Sequence, residues 1–299
     1  MFAAALGPIL LPEIIILVAE FLGDDVQSIS NLYKVNKAAC RTLRSHLYRS
    51  VHLRSVRNAT LFFQVSTISR VDELRNIRSL QLGFDRSNLM PAFEMQSDLV
   101  PAFRSALDMM HHISSLSLST TPSVLDDLLE GFDPPFQLTE FIHSGELSLT
   151  LAKFLEKQPS IVKLGWHSLF LGEKLEYLSK LLSDTRTFLP ALRELAGPML
   201  LLSALIPRRP IIRVQVMYNS LSFVLSESMM ATFLHPMGRL SSLCIMEYRP
   251  TWQSFTAFIS KLDGTCVPNT LNEVHVVEAF TVCSLRTNEF KISQDIVGL

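Results

Sequence analysis

Six short stretches of the chain share one arrangement of apolar positions, apolar-x-x-apolar-x-apolar: Ile77-Leu80-Leu82, Ile113-Leu116-Leu118, Ile161-Leu164-Trp166, Ile211-Val214-Val216, Leu240-Leu243-Ile245 and Leu271-Val274-Val276. Weaker copies stand at Leu138-Phe141-His143 and Leu192-Leu195-Gly197. The last two apolar positions of each copy are two residues apart, which is the period of a strand with one buried face. Between the copies the spacing turns helical, over 59–68, 100–110, 123–129, 149–156, 175–182, 199–205, 229–234 and 255–262. Strand and helix taking turns predict an α/β fold with a parallel sheet and outer helices. Units of roughly 20 to 30 residues favour a stacked solenoid over a doubly wound domain.

The variable positions inside each copy would form one open face of that sheet: Ser79 and Gln81, Ser115 and Ser117, Lys163 and Gly165, Arg213 and Gln215, Ser242 and Cys244, Glu273 and His275. Its mixture of small, polar and charged groups suits a protein surface, and Gln81, Ser117, Lys163, Arg213, Gln215 and His275 are the candidate target-binding residues. The stretch from Gly83 to Pro101 is expected to be a loop at one edge of the array, where binding determinants often sit.

Ahead of the array the pattern differs. A helix is expected from Leu11: Pro12 suits the first turn, Glu13 complements the positive end of the helix dipole, and Gly23 is a natural stop. Ile14, Val18, Phe21 and Leu22 share the face expected to turn inward. Ile15, Ile16 and Leu17 then widen the stripe and leave the helix apolar on more than one side. A second helix is expected over Ser28–Tyr33 and a third over Asn36–Leu47, with Ala39, Leu43 and Leu47 on one side and Lys34, Lys37, Arg41 and Arg44 opposite. A unit of roughly 45 residues buries too little to be secure alone, so it leans on the following domain or on a partner.

The segment Leu11-Pro12-Glu13-Ile14-Ile15, the apolar residues Val18 and Leu22, then Leu32, Val35, a basic third helix and the phrase LYRSVHL, resembles the F-box of fungal proteins. The repeated hexads resemble a degenerate leucine-rich repeat. Together they imply an F-box-like helical module over 9–50 and a leucine-rich-repeat-like solenoid over 51–299. The resemblance further implies that Leu11, Pro12, Ile15, Leu22, Leu32 and Val35 contact a Skp-type adaptor, and through it a cullin-RING ubiquitin ligase, while the solenoid holds an unknown target protein. The competing reading of the same residues is an interaction scaffold whose N-terminal helices merely cap the first repeat.

Composition narrows the alternatives. Apolar residues make up 48% and charged residues 18% of the 299, with a formal net charge of -1, which gives no whole-molecule field for nucleic acid or anionic membrane. The sharpest asymmetry is local: eight Lys or Arg and no Asp or Glu lie between Val26 and Val71. Sparse aromatic interleaving there argues against nucleic acid, and under the F-box resemblance the adaptor is acidic, so a basic face would steer its docking. The apolar start, Phe2 to Leu22, is interrupted by Pro12 and Glu13 and has no basic residue before it, so no membrane or secretory role is expected. Cys40, Cys244, Cys266 and Cys283 are dispersed, which fits reduced thiols in cytoplasm or nucleus.

No glycine-rich phosphate loop, GxSxG elbow or HExxH pair occurs, and no cofactor or metal is expected. The adjacent pair His111-His112 points two ways if helical, and Asp24-Asp25 and Asp126-Asp127 are read as solubilising charges. Nothing here nominates a catalytic residue. After Phe290 the sequence offers no evident polar cap for the last unit.

Overall fold

The computed structural model describes residues 11–22, 25–69, 71–83, 99–145, 148–167, 188–207, 209–217, 240–247, 272–278 and 281–286. Three helices come first: α1 (Pro12–Leu22), α2 (Val26–Tyr33) and α3 (Lys37–Leu47). Side-chain caps set the starts of α2 and α3. Asp25 accepts from the Ser28 N–H at 3.1 Å and the Ser28 hydroxyl at 2.7 Å, and Asn36 accepts from the Ala39 N–H at 2.7 Å. Those two Ser28 bonds hold the Asp25 carboxyl below its ordinary pKa.

The chain then runs through β1 (Ser50–Leu53), α4 (Val56–Ser69), α5 (Val71–Asn76), β2 (Ser79–Leu82), α6 (Val100–Met109), β3 (Ser115–Leu118), α7 (Pro122–Leu129) and β4 (Glu140–His143). It continues with α8 (Leu149–Glu156), β5 (Lys163–Trp166), β6 (Glu194–Gly197), α9 (Met199–Leu205), β7 (Arg213–Met217), β8 (Ser242–Glu247), β9 (Glu273–Glu278) and β10 (Thr281–Arg286). All ten strands form one sheet in sequence order. From β1 to β9 every neighbour is parallel, and β10 turns back antiparallel on β9. The fold is therefore α/β with an essentially parallel sheet, as the alternation of periods requires.

The stacking has a repeated physical device. The residue before each strand from β1 to β8 offers its carbonyl to two successive N–H groups of the next strand's start: Arg49 accepts from Arg78 and Ser79, Arg78 from Ser114 and Ser115, and so on to Ser241 with Asn272 and Glu273, all at 2.8–3.2 Å. Backbone register thus repeats although the distance along the chain between equivalent residues runs from 19 (Glu194 to Arg213) to 36 (Ser79 to Ser115).

The apolar positions of the described hexads point inward as their period demands. Ile77, Leu80, Leu82, Ile113, Leu116, Leu118, Ile161, Leu164 and Trp166 are all buried, in a core that runs from Val51 to Leu243 and takes in Phe63 stacked on Phe103 at 4.3 Å. The odd third residues of the two weak hexads fit their neighbours. Trp166 of β5 stacks edge-on against His143 of β4 at 5.0 Å, and a side chain at Gly197 of β6 would meet Leu201 Cδ2 of α9 at 3.1 Å and the Trp166 Cβ at 3.2 Å. Buried His143 is satisfied by hydrogen bonds: its Nε2 accepts from the Gly145 N–H at 2.9 Å, so its Nδ1 donates to the Leu118 carbonyl at 3.1 Å.

Several expectations change. Strand β1 was not among the hexads, α5 was not anticipated, and α2 and α4 begin earlier, at Val26 and Val56. The sheet ends on the added strand β10, formed by residues that carry no expected hexad. The expected helices over 175–182, 229–234 and 255–262, the first residue of the hexad at Leu271, and residues 84–98 of the expected loop lie outside the described residues.

The main correction concerns α1. Ile15 and Ala19, not Ile14, Val18 and Phe21, face the bundle, where they pack on Ala39 and Leu43 of α3 with Leu32 and Tyr33 alongside. Two alanines one turn from two larger residues let the helices approach closely, and that contact outweighs the larger area of the opposite stripe. Ile15 is 1% exposed and therefore serves packing.

Candidate protein-interaction surfaces

Turning α1 onto its Ile15 side presents Ile14, Leu17, Val18 and Phe21 outward, a stripe at i, i+3, i+4 and i+7. Phe21 is 91% exposed and Val35, in the turn between α2 and α3, is 62% exposed. Leu11 is exposed at the head of the helix, where its carbonyl accepts from Ile14 and Ile15, and Pro12 is exposed in the first turn. Leu22 and Leu32 are half-buried. Of the six residues inferred from the F-box resemblance, Leu11, Pro12 and Val35 are thus open to solvent, Leu22 and Leu32 partly so, and Ile15 is closed. Leu17 is exposed, as a residue surplus to the small core should be, whereas Phe21 was missed as a surface group, because an apolar helix of eleven residues has two stripes and periodicity does not say which is covered.

On the same three-helix unit Lys34, Lys37 and Arg41 are exposed, and among the described residues no carboxylate is paired to them. Arg44 on the same helix is spent on Glu73 of α5 at 2.5 Å, the ion pair that ties the helical unit to the first helices of the sheet region. An exposed apolar stripe and exposed cations on one small helical unit favour a partner that offers both apolar and acidic surface.

On the sheet, alternate residues face away from the core in two rows set by the strand register. The row at the strand starts reads Ser50, Ser79, Ser115, Glu140, Lys163, Glu194, Arg213, Ser242, Glu273. Two residues further along stand His52, Gln81, Ser117, Ile142, Gly165, Ala196, Gln215, Cys244, His275. All six candidate target-binding residues fall in these rows. Gln81 and Ser117 are register neighbours, Gln215 sits two strands from His275 with Cys244 between, and the His275 side chain is outside the described residues. Ser117 is buried.

Lys163 and Arg213 do not form a basic patch. Lys163 pairs with Glu140 and Arg213 with Glu194, each at 2.6 Å, and Ser115 donates to Glu140 at 3.0 Å, so charges alternate across four strands. Glu140, Ile142, Glu194 and Ala196 were missed as face residues because they belong to the weak hexads. Their signal was the register itself. Just past β5, burial and then the Lys163 charge push His167 below the ordinary histidine pKa, and in the second row burial pushes the Cys244 thiol up, which disfavours the thiolate a nucleophile needs.

The remaining candidates for chemistry are accounted for by structure. His111 and His112 are exposed in the turn after α6, Asp25 caps α2, and Asp126 accepts from the Ser148 hydroxyl at the start of α8. Asp24 lies outside the described residues. Among the described residues no group of three or more His, Cys, Asp or Glu is placed to hold a metal ion, and no helix is long and apolar enough to cross a membrane. No protein-family model matches the chain, and no curated protein matches its sequence.

Proposed function

We propose that this chain is a substrate receptor: an F-box-like unit over the first three helices docks a Skp-type adaptor of a cullin-RING ubiquitin ligase, and a leucine-rich-repeat-like solenoid presents a target protein. The observation that carries the reading is the outward stripe Ile14, Leu17, Val18 and Phe21 on a three-helix unit that also exposes Val35 and the cations Lys34, Lys37 and Arg41. Its own bundle already has a core in Ile15, Ala19, Ala39 and Leu43, so the stripe is surplus to folding and available to a second molecule. The sequential parallel sheet supports the repeat reading, since each unit buries its hexad against the next. On this reading the chain performs no bond chemistry. It raises the local concentration of target at the ligase, in cytoplasm or nucleus.

Co-expression with a Skp-type adaptor tests it. The wild type is expected to co-purify with the adaptor, and Phe21→Asp, at a site that packs on nothing in the bundle, is expected to lose it while keeping its thermal melt. The second reading, a helical cap on an interaction scaffold, is favoured by the Arg44–Glu73 pair and by α3 packing on α5. Failure of the intact wild-type protein to bind the adaptor would select that reading.

A further inference from the structure

The open face of β4 to β7 differs from the rest of the sheet. Where Gln81, Ser117 and Gln215 stand on other strands, β4, β5 and β6 carry Ile142, Gly165 and Ala196. Gly165 leaves room that Ile142 covers with the His167 ring beside it, since a Cβ at Gly165 would lie 3.2 Å from Ile142 Cγ1, 3.3 Å from Cγ2 and 3.5 Å from His167 Nε2. The result is a low apolar lane crossing the strands, and a glycine within a strand marks a place where another chain can come close. Such a lane on a solvated face leaves apolar surface for a partner to cover.

Along one side of the lane runs the ladder Glu140, Lys163, Glu194, Arg213. Its two signs are not equally presented. The Glu140 and Glu194 side chains are 28% and 29% exposed, whereas those of Lys163 and Arg213 are 47% and 61% exposed. Among the described residues Arg213 meets Glu194 through Nη1, which leaves Nε and Nη2 for an outside acceptor, and Lys163 pairs with Glu140. The carboxylates therefore hold the cations upright, and the cations are what an approaching molecule meets. Lys163 and Arg213 are two strands apart, about 9.5 Å at the usual strand separation. That matches the roughly 10.5 Å rise between residues i and i+7 of an α-helix, with i+3 and i+4 on the same face between them.

We propose that the face of β4 to β7 docks an amphipathic target helix bearing two carboxylates seven residues apart, one on Lys163 and one on Arg213, with an apolar side chain between them seated on Ala196 beside Gly165. This names the target chemistry for the surface already read as target-binding, and it rests on that reading.

The probe is a displayed library of helix-forming peptides, selected on the full-length wild type and counter-selected on Ala196→Glu, which fills the lane. Enriched peptides are expected to share Asp or Glu at a seven-residue spacing with Leu, Ile, Val or Met three or four places after the first. Affinity is expected to fall at least tenfold in Ala196→Glu and in Ala196→Lys, the second variant excluding a purely electrostatic cause. Lys163→Gln and Arg213→Gln are each expected to cost about threefold to tenfold, the scale of one charge-assisted bond at a half-exposed site. Replacing the peptide's matching acid by Gln should then cost nothing further. Enrichment without the acid pair, or binding that all four variants leave unchanged, overturns the proposal, as does a library that yields no ligand. Adaptor co-purification scored on the same variants separates the two readings. It is expected to survive all four substitutions, and its absence alongside peptide binding would refute the ligase reading and leave the docking site standing.

Discussion

Exchanging one residue on each side of α1 asks which stripe holds the helix in place. Ile15→Ala removes three carbon groups from a side chain 1% exposed, worth about 2.4 kcal/mol at roughly 0.8 kcal/mol per methylene. An unrelaxed cavity adds about 1 kcal/mol, which gives about 3 kcal/mol for a core of only four residues. Phe21→Ala removes a ring that is 91% exposed, so the same arithmetic gives well under ~0.5 kcal/mol. Amide hydrogen exchange over α1 to α3 reads the difference directly. Ile15→Ala should lower protection about a hundredfold at about 1.4 kcal/mol per decade, and Phe21→Ala should leave it unchanged. Equal losses in the two variants, or a larger loss in Phe21→Ala, would mean that α1 is seated by its other face, and the surface argued for adaptor docking would not exist.

Gly145→Ala should destabilise the middle of the sheet, because its Cβ would lie 2.5 Å from His143 Nε2 and cannot coexist with the present imidazole position. A lower melting temperature, partly restored by also substituting His143 with Ala, checks it. Gln158 is fully buried and accepts from the Leu138 N–H at 2.7 Å, so Gln158→Leu should cost about 1–3 kcal/mol through an unpaired buried donor, measured by denaturant titration. His167 binds its proton less readily folded than unfolded, chiefly through burial. Its contribution is therefore complete above the unfolded value near 6.5 and declines as pH falls below it, so His167→Gln should flatten the acid slope of stability below about pH 6.5. An unaltered slope would contradict that account.

The order of elements was legible in the chain because each period has one cause. Leu80-Leu82, Leu116-Leu118 and Leu164-Trp166 alternate as strand residues with one dry face, and Leu149–Glu156 and Met199–Leu205 emerge as helices at the boundaries expected of them. The open-face residues followed from the same alternation, since a residue between two buried neighbours on a strand must point away from the core. What the sequence could not decide were relations between residues distant along it. His143 and Gly197 look like failed repeats until their neighbours are placed: the Trp166 ring packs edge-on against the His143 ring, and Leu201 with the Trp166 Cβ occupies the space a side chain at Gly197 would need. Lys163 and Arg213 look like free cations until strand register sets Glu140 and Glu194 beside them. The facing of α1 belongs to the same class: both stripes satisfy helical periodicity, and only the close approach allowed by Ala19 and Ala39 selects the one that is buried. Periodicity is a property of single elements and can be read locally, whereas register, volume exchange and choice of face are settled by the partner each element meets.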